Sequence, residues 1–298
     1  MTVAQAIIHS RTLLSRASIP DSQFEAELLL AHVLGKERFW LYMHSDLELD
    51  SREVWRFLKL ISRRAAHEPV AYITGEREFW SRSFYVTRDT LIPRPETELI
   101  VEAAVRVTEN LGAAGLALLD LGTGCGILAV TLTCEIPGAY CVATDISSSA
   151  LKVARRNAAR HGVESSISFV QGDWLAPFSL TGRNRRTGAK EISSFDVVVS
   201  NPPYIGVSEK SSLEPDVRDY EPDKALFSGD DGLDAVRLLV ENVHCILRAG
   251  GLFFCEIGCG QGKTAISMAE DTGKYAGTEV IRDFSGLDRV LAVQKKAD

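Results

Sequence analysis

No run of about 18 apolar residues occurs in this chain, so no membrane-spanning helix is expected. The first stretch, MTVAQAIIHSRTLLSRA, has polar residues interrupting every apolar segment. It lacks the apolar core of a signal peptide and reads as an amphipathic helix, which points to the cytoplasm. None of the six cysteines, at 125, 134, 141, 245, 255 and 259, forms a Cys-x-x-Cys pair, and the chain is neither short nor visibly secreted. Cys255 and Cys259 flank a Glu-Ile-Gly turn where a metal is one reading; reduced thiols serving as small apolar residues is the simpler one, and no metal is expected. Internal repeats and low-complexity segments are also lacking. Basic charge is not in excess either: the net charge is −7, whereas a protein that holds long nucleic acid usually carries a basic face. The one basic cluster, Arg183, Arg185, Arg186 and Lys190, sits in a glycine-containing stretch that reads as a solvated surface loop over 176–194. Direct contact with nucleic acid is therefore not expected.

What is there is an ordinary globular composition on 298 residues, with 45% hydrophobic and 24% charged side chains. That length suits two domains. Residues 1–70 read as a small helical bundle. Val3, Ile7, Ile8 and Leu14 make one helical stripe, Ser22 with Glu25 fits a capping box, Gly35 is a helix stop, and a restart at Asp50-Ser51 precedes Val54, Phe57, Leu58 and Ile61. The bundle has no catalytic constellation, so it is either a stabilising appendage or a docking domain for a macromolecular partner. Residues 71–92 contain EFWSRSFYVT, which alternates as a short hairpin does and reads as a linker. From 93 to 298 strand and helix signals alternate, after a helix that opens at Pro95 with Glu96 and Glu98 at its positive end. Apolar LALLDL, YCVATD, SISFVQGD, FDVVVS and GLFFCEIG read as parallel strands, residues 231–248 as a helix, and TEVIRD and DRVLAVQ as closing strands. The fold class is α/β: a seven-stranded Rossmann-like sheet covered by helices on both faces, with the helical bundle in front.

Two loops at strand ends carry the chemistry. Asp120-Leu121-Gly122-Thr123-Gly124-Cys125-Gly126 follows one strand and opens a helix, and its glycines let a ligand approach the backbone closely. Asp145 ends the next strand, where a carboxylate can accept both hydroxyls of an adenosine ribose. Asp173 and Trp174 follow the third strand and are placed to flank an adenine, with core packing the competing reading for Trp174. The glycine spacing, GxGxG after an acidic residue, resembles motif I of class I methyltransferases rather than the dinucleotide GxGxxG fingerprint.

The second loop, Ser200-Asn201-Pro202-Pro203-Tyr204, lies at the carboxyl edge where open α/β sheets place their sites. The two prolines stiffen it and remove two N–H donors. Carbonyls and the Asn201 side-chain oxygen are left as acceptors, and Tyr204 offers a flat face. Convergent acceptors suit a planar NH₂ group. An amide nitrogen is a poor nucleophile because its lone pair is delocalised. Hydrogen bonds to both its N–H groups raise its electron density as it pyramidalises towards a methyl donor, and in-line placement supplies the orientation.

The chain resembles the HemK/PrmC family of release-factor glutamine-N5 methyltransferases over essentially its whole length. The blocks that carry the resemblance are PVAYITGEREFW, LIPRPETELIVE, DLGTGCGILAV, FDVVVSNPPYI, EPDKALFSGDDGLD, EIGCGQG and DFSGLDRVL, in order. NPPY alone is shared with DNA adenine and RNA guanine amino-methyltransferases, so a nucleic-acid amino-methyltransferase is the main alternative. The resemblance implies S-adenosyl-L-methionine as cofactor and the glutamine of the Gly-Gly-Gln loop of class 1 peptide release factors as substrate. It further implies that Gly122, Thr123, Gly124, Cys125 and Gly126 cradle the cofactor. Asp145 would hold its ribose, Trp174 would lie along its adenine, and Asn201, Pro202, Pro203 and Tyr204 would hold the glutamine amide, with Asn201 also facing the cofactor. The N-terminal bundle would grip the release factor, and a monomer is expected. Loop 182–190 is longer and more basic than the family pattern, and Arg94, Glu96 and Glu98 have no assigned role beyond helix capping.

Overall fold

The computed structural model describes residues 1–111, 115–178 and 194–297; the basic cluster at 183–190 lies outside them. The chain divides into two compact units, one of residues 1–76 with 213–220 and the other of residues 77–212 with 221–298.

The first unit is helical: α1 (Val3–Arg16), α2 (Ser22–Leu34), α3 (Arg38–Met43), α4 (Ser51–Ala65) and α5 (Val70–Thr74), joined from further along the chain by α9 (Pro215–Tyr220). Val3, Leu14, Leu29, Leu30, Phe57 and Ile61 close its apolar core. Thr2 with Gln5 and Asp50 with Glu53 form reciprocal capping boxes. The expected box of Ser22 with Glu25 is absent: α2 already includes Ser22, and Asp21 precedes it without a side-chain cap. Glu25 is engaged elsewhere, accepting from the buried Arg64 guanidinium at 2.6 Å. A buried arginine needs a charged partner more than a helix end needs a second cap. Gly35 ends α2 in the left-handed region, as its position predicts.

The second unit opens on a two-stranded hairpin, β1 (Glu76–Phe79) and β2 (Arg82–Tyr85). A 3₁₀ turn at Pro95–Thr97 leads into α6 (Glu98–Leu111). Then follow β3 (Ala117–Leu121), α7 (Ile127–Glu135), β4 (Tyr140–Asp145), α8 (Ser148–Arg160), β5 (Ile167–Gln171) and β6 (Phe195–Ser200). The order continues with α10 (Asp223–Leu226), α11 (Asp234–Asn242), β7 (Leu247–Glu256), α12 (Gly262–Asp271), β8 (Tyr275–Arg282) and β9 (Asp288–Lys295). The larger sheet has seven strands in the order β5-β4-β3-β6-β7-β9-β8. β3 to β7 are mutually parallel, and β9 runs antiparallel to both β7 and β8. The chain steps outward from β3 to β5 and then returns to β6, and right-handed crossovers put the helices of the two runs on opposite faces. α7 packs on α6 and α8, while α11 packs on α12. Leu119, Leu121, Val198, Phe253 and Leu291 are buried in the core that the sheet forms with α11 and α12, and Cys255 is buried with them whereas Cys259 is exposed. No helix among the described residues is long and apolar enough to cross a membrane.

The helix expected over 231–248 is shorter, Asp234–Asn242, with a 3₁₀ turn at Val243–Cys245 behind it. Gly232 explains the late start. Its φ of 75° is a turn conformation, and any Cβ there would collide with the Tyr204 carbonyl. The stretch before α11 is thus shaped to fit the NPPY loop.

Candidate active site

The reversal of strand order between β3 and β6 makes a crevice at their carboxyl ends, the usual ligand position in such sheets. Leu121 and Ser200 are register partners, so the glycine loop and the NPPY loop leave adjacent strands side by side. The Ser200 hydroxyl donates to the Leu121 carbonyl at 2.7 Å and pins the two exits together. A cavity of about 630 Å³ opens there. That volume is within the ordinary range for small-molecule and cofactor sites.

The glycine loop is held from several sides. The Thr123 N–H donates to the Thr144 carbonyl at 2.8 Å, and its hydroxyl donates to buried Asp120 at 2.6 Å. The buried Asn157 amide of α8 donates to the Cys125 carbonyl at 2.8 Å and pairs with both the N–H and the carbonyl of Tyr85. The Gly124 N–H donates to Asp145 at 2.9 Å, and the Ser147 N–H donates to its other oxygen at 2.8 Å. Asp145 is thereby fixed at the cavity wall with lone pairs to spare. Gly122 adopts a φ of 75°, and a Cβ on it would lie 3.3 Å from the Trp174 ring. The indole therefore crosses directly over this backbone. Trp174 itself holds a φ of 44° and packs its ring against the core while lining the cavity.

Most residues singled out from the sequence meet at this cavity: Gly122, Thr123, Gly124, Cys125, Asp145, Asp173, Trp174, Asn201 and Pro203 line it. Gly126, Pro202 and Tyr204 are not among the lining residues. Gly126 answers to packing, since a Cβ there would lie 3.0 Å from that of Ala154 on α8. Burial, with the negative charge of Glu256, raises the Tyr204 phenol well above the ordinary value. Its carbonyl accepts from Gln261 at 3.0 Å, and the Gly258 N–H in turn donates to the same side chain at 2.8 Å.

Asn201 turns its NH₂ to the Thr97 hydroxyl at 3.0 Å, while its side-chain oxygen is buried without a hydrogen-bond partner among the described residues. Asp120, also on the cavity wall, has one oxygen satisfied by Thr123 and the Ala129 N–H and the other buried without a partner. Unmet buried acceptors are rare enough in folded proteins to need a reason, and a ligand that donates hydrogen bonds supplies one.

Several contributors carry no local sequence signal. Glu221 is buried and accepts from the Ile92 N–H at 3.1 Å and from Arg94 at 2.5 Å. This pair joins two wall segments, since residues 88–93 and 222–228 both contribute to the cavity. Glu98 accepts from the Trp80 N–H at 2.8 Å at the hairpin turn. Thr97 and Glu256 belong to blocks of the resemblance but draw no notice from residue type alone.

Burial pushes the carboxyls of Asp120 and Glu256 up to about 7, against the hydrogen bonds that favour their ionised forms. A raised carboxyl binds its proton in the native state where the unfolded chain has lost it. The stability these two groups contribute is therefore fully present below the ordinary carboxylate range and is lost as pH rises through about 7. Between about pH 5 and pH 8 the melting temperature of the ligand-free Glu256→Gln protein should fall less than that of the wild type. Parallel declines would show that Glu256 is not charged at a cost in the native protein.

The PrmC N-terminal domain family model matches residues 5–75, and the methyltransferase small domain model matches residues 102–213. The release factor glutamine methyltransferase of Cereibacter sphaeroides is 39% identical over 297 residues, covering 100% of each chain. That of Nitratidesulfovibrio vulgaris is 36% identical, covering 99% of this chain and 95% of its own. Among solved structures, the hMettl16 catalytic domain in complex with an RNA hairpin is 14% identical with a TM-score of 0.53, covering 89% of this chain and 90% of that one. At that identity the likeness concerns the fold alone. With 36% and 39% identity over essentially the full length, and with the glycine loop and the NPPY loop meeting at one cavity, this chain belongs to the release factor glutamine methyltransferase family.

Proposed function

We propose that this protein transfers a methyl group from S-adenosylmethionine to the side-chain amide nitrogen of the glutamine in the Gly-Gly-Gln motif of class 1 peptide release factors. The observation that carries the reading is the unpartnered oxygen of Asn201, an acceptor held at the wall that also carries the glycine loop. The cofactor, when bound, supplies an electrophilic sulfonium methyl. Asp145 is suited to take the two ribose hydroxyls, the Trp174 indole to flank the adenine, and the free oxygen of Asp120 to accept from the cofactor's ammonium group. Asn201 and a carbonyl of the Pro202–Pro203 stretch would each accept one N–H of the substrate amide. They fix the nitrogen in line and stabilise the positive charge that develops on it as the carbon–sulfur bond breaks. Once methylated, the nitrogen is strongly acidic and releases a proton without a dedicated strong base.

On this reading the helical unit contributes release-factor binding, and the protein works in the cytoplasm as a monomer. The test mixes the protein with methyl-labelled cofactor and either a class 1 release factor or tRNA. Label is expected in the release factor and should vanish when the Gly-Gly-Gln glutamine is replaced. Label in tRNA alone would assign the chain to nucleic-acid methylation instead.

A further inference from the structure

An asparagine carboxamide can sit in its pocket in two nearly isosteric ways, with oxygen or with NH₂ facing the ligand. Only the first makes an acceptor. What decides between them lies behind the side chain. The Asn201 NH₂ is 3.0 Å from the Thr97 oxygen, and the Thr97 hydroxyl is 2.6 Å from a carboxylate oxygen of Glu256. Thr97 is 0% exposed and Glu256 2% exposed, so water does not compete. An ionised carboxylate only accepts, and Glu256 becomes ionised as pH rises through about 7. Glu256 therefore claims the Thr97 hydrogen, which leaves Thr97 a lone pair, and that lone pair claims the Asn201 NH₂. The polarity of the chain is set at the Glu256 end, and the Asn201 oxygen is left buried without a hydrogen-bond partner among the described residues.

The fold makes this arrangement available. Ser200 and Cys255 are register partners on the parallel strands β6 and β7, so Asn201 and Glu256 follow at neighbouring strand ends. The 3₁₀ turn ahead of α6 delivers Thr97 between them. Through Thr97, the carboxylate of Glu256 anchors the NPPY loop at its asparagine.

We infer that Thr97 and Glu256 are positioning residues that hold the Asn201 carboxamide in its acceptor orientation and thereby set the polarity of the methyl-acceptor pocket. The inference rests on the amide-methylation reading above. Neither residue touches the substrate; both act through Asn201. Replacing Thr97 by the isosteric valine keeps the volume and removes the link, so the Asn201 carboxamide is free to turn.

Thr97→Val should lower kcat for release-factor methylation by about 10- to 100-fold, the scale of a misplaced catalytic contact. The cofactor dissociation constant, measured by calorimetry, should stay within about twofold, because Thr97 does not line the cavity. Thr97→Ser restores the hydroxyl and should recover kcat to within about threefold of wild type. Thr97→Val at wild-type kcat would overturn the inference. So would a variant whose cofactor affinity falls in step with its rate, or a serine variant as slow as the valine one, since either marks a packing role. A wild-type protein that labels no release factor sinks the amide-methylation reading itself, which a normal rate in Thr97→Val beside an active wild type does not.

Discussion

Asn201→Ala should reduce turnover at saturating cofactor and release factor by about 10²- to 10³-fold, the usual cost of removing one preorganised hydrogen-bonding group from a developing charge. The carboxamide oxygen is buried and unpartnered, so its desolvation is already met in folding, and the substrate N–H recovers that cost on binding. The interaction strengthens as the nitrogen becomes positive, so the loss should appear mainly in kcat. Cofactor affinity should change by less than about threefold, because Asp145 and the glycine loop remain in place. Steady-state kinetics with a release factor, together with calorimetric titration of the cofactor, separate the two quantities. A variant turning over at the wild-type rate would mean that the backbone carbonyls hold the amide alone.

Asp145→Ala should show the opposite split. Its carboxylate is fixed by two backbone N–H groups and faces the cavity, positioned for the two hydroxyls of a ribose. Hydrogen bonds to a charged group are worth about 1.5–3 kcal/mol each, so losing two should raise the cofactor dissociation constant by about 10²-fold or more. The substitution also releases the Gly124 N–H and loosens the loop. At saturating cofactor kcat should return to within about tenfold of wild type, since the amide pocket is untouched. Unchanged cofactor affinity in Asp145→Ala would remove the ribose assignment and, with it, the adenosine orientation inferred from Trp174.

Both predictions concern residues visible in the sequence, and the reason is local. A glycine turn between an apolar run and a helix, an acidic residue at the next strand end, and a proline pair after an apolar strand each announce a backbone geometry within a few residues. The first helix and the left-handed stop at Gly35 were legible in the same way, although of the stripe Val3, Ile7, Ile8 and Leu14 only Val3 and Leu14 are fully buried and Ile8 is exposed. Sequence reading strayed where a local rule met a distant competitor. Glu25 left its capping box for Arg64, 39 positions away. The helix drawn back to residue 231 gave way at Gly232, which answers to the carbonyl of Tyr204. Gly126 reads as part of a ligand cradle but is needed for contact with Ala154.

The amino-acid sequence by itself determined the alternation of strands and helices, the two loops that reach the same sheet edge, and an acceptor residue between a serine and two prolines. Those are properties of neighbours along the chain, fixed by periodicity and by the restricted backbones of glycine and proline. Which way the Asn201 amide faces was decided only by tertiary structure. Thr97 and Glu256, 159 positions apart, come within 2.6 Å because parallel register aligns the ends of β6 and β7 beside the turn before α6. Hydrogen-bond polarity belongs to that buried contact, and no stretch of residues carries it alone.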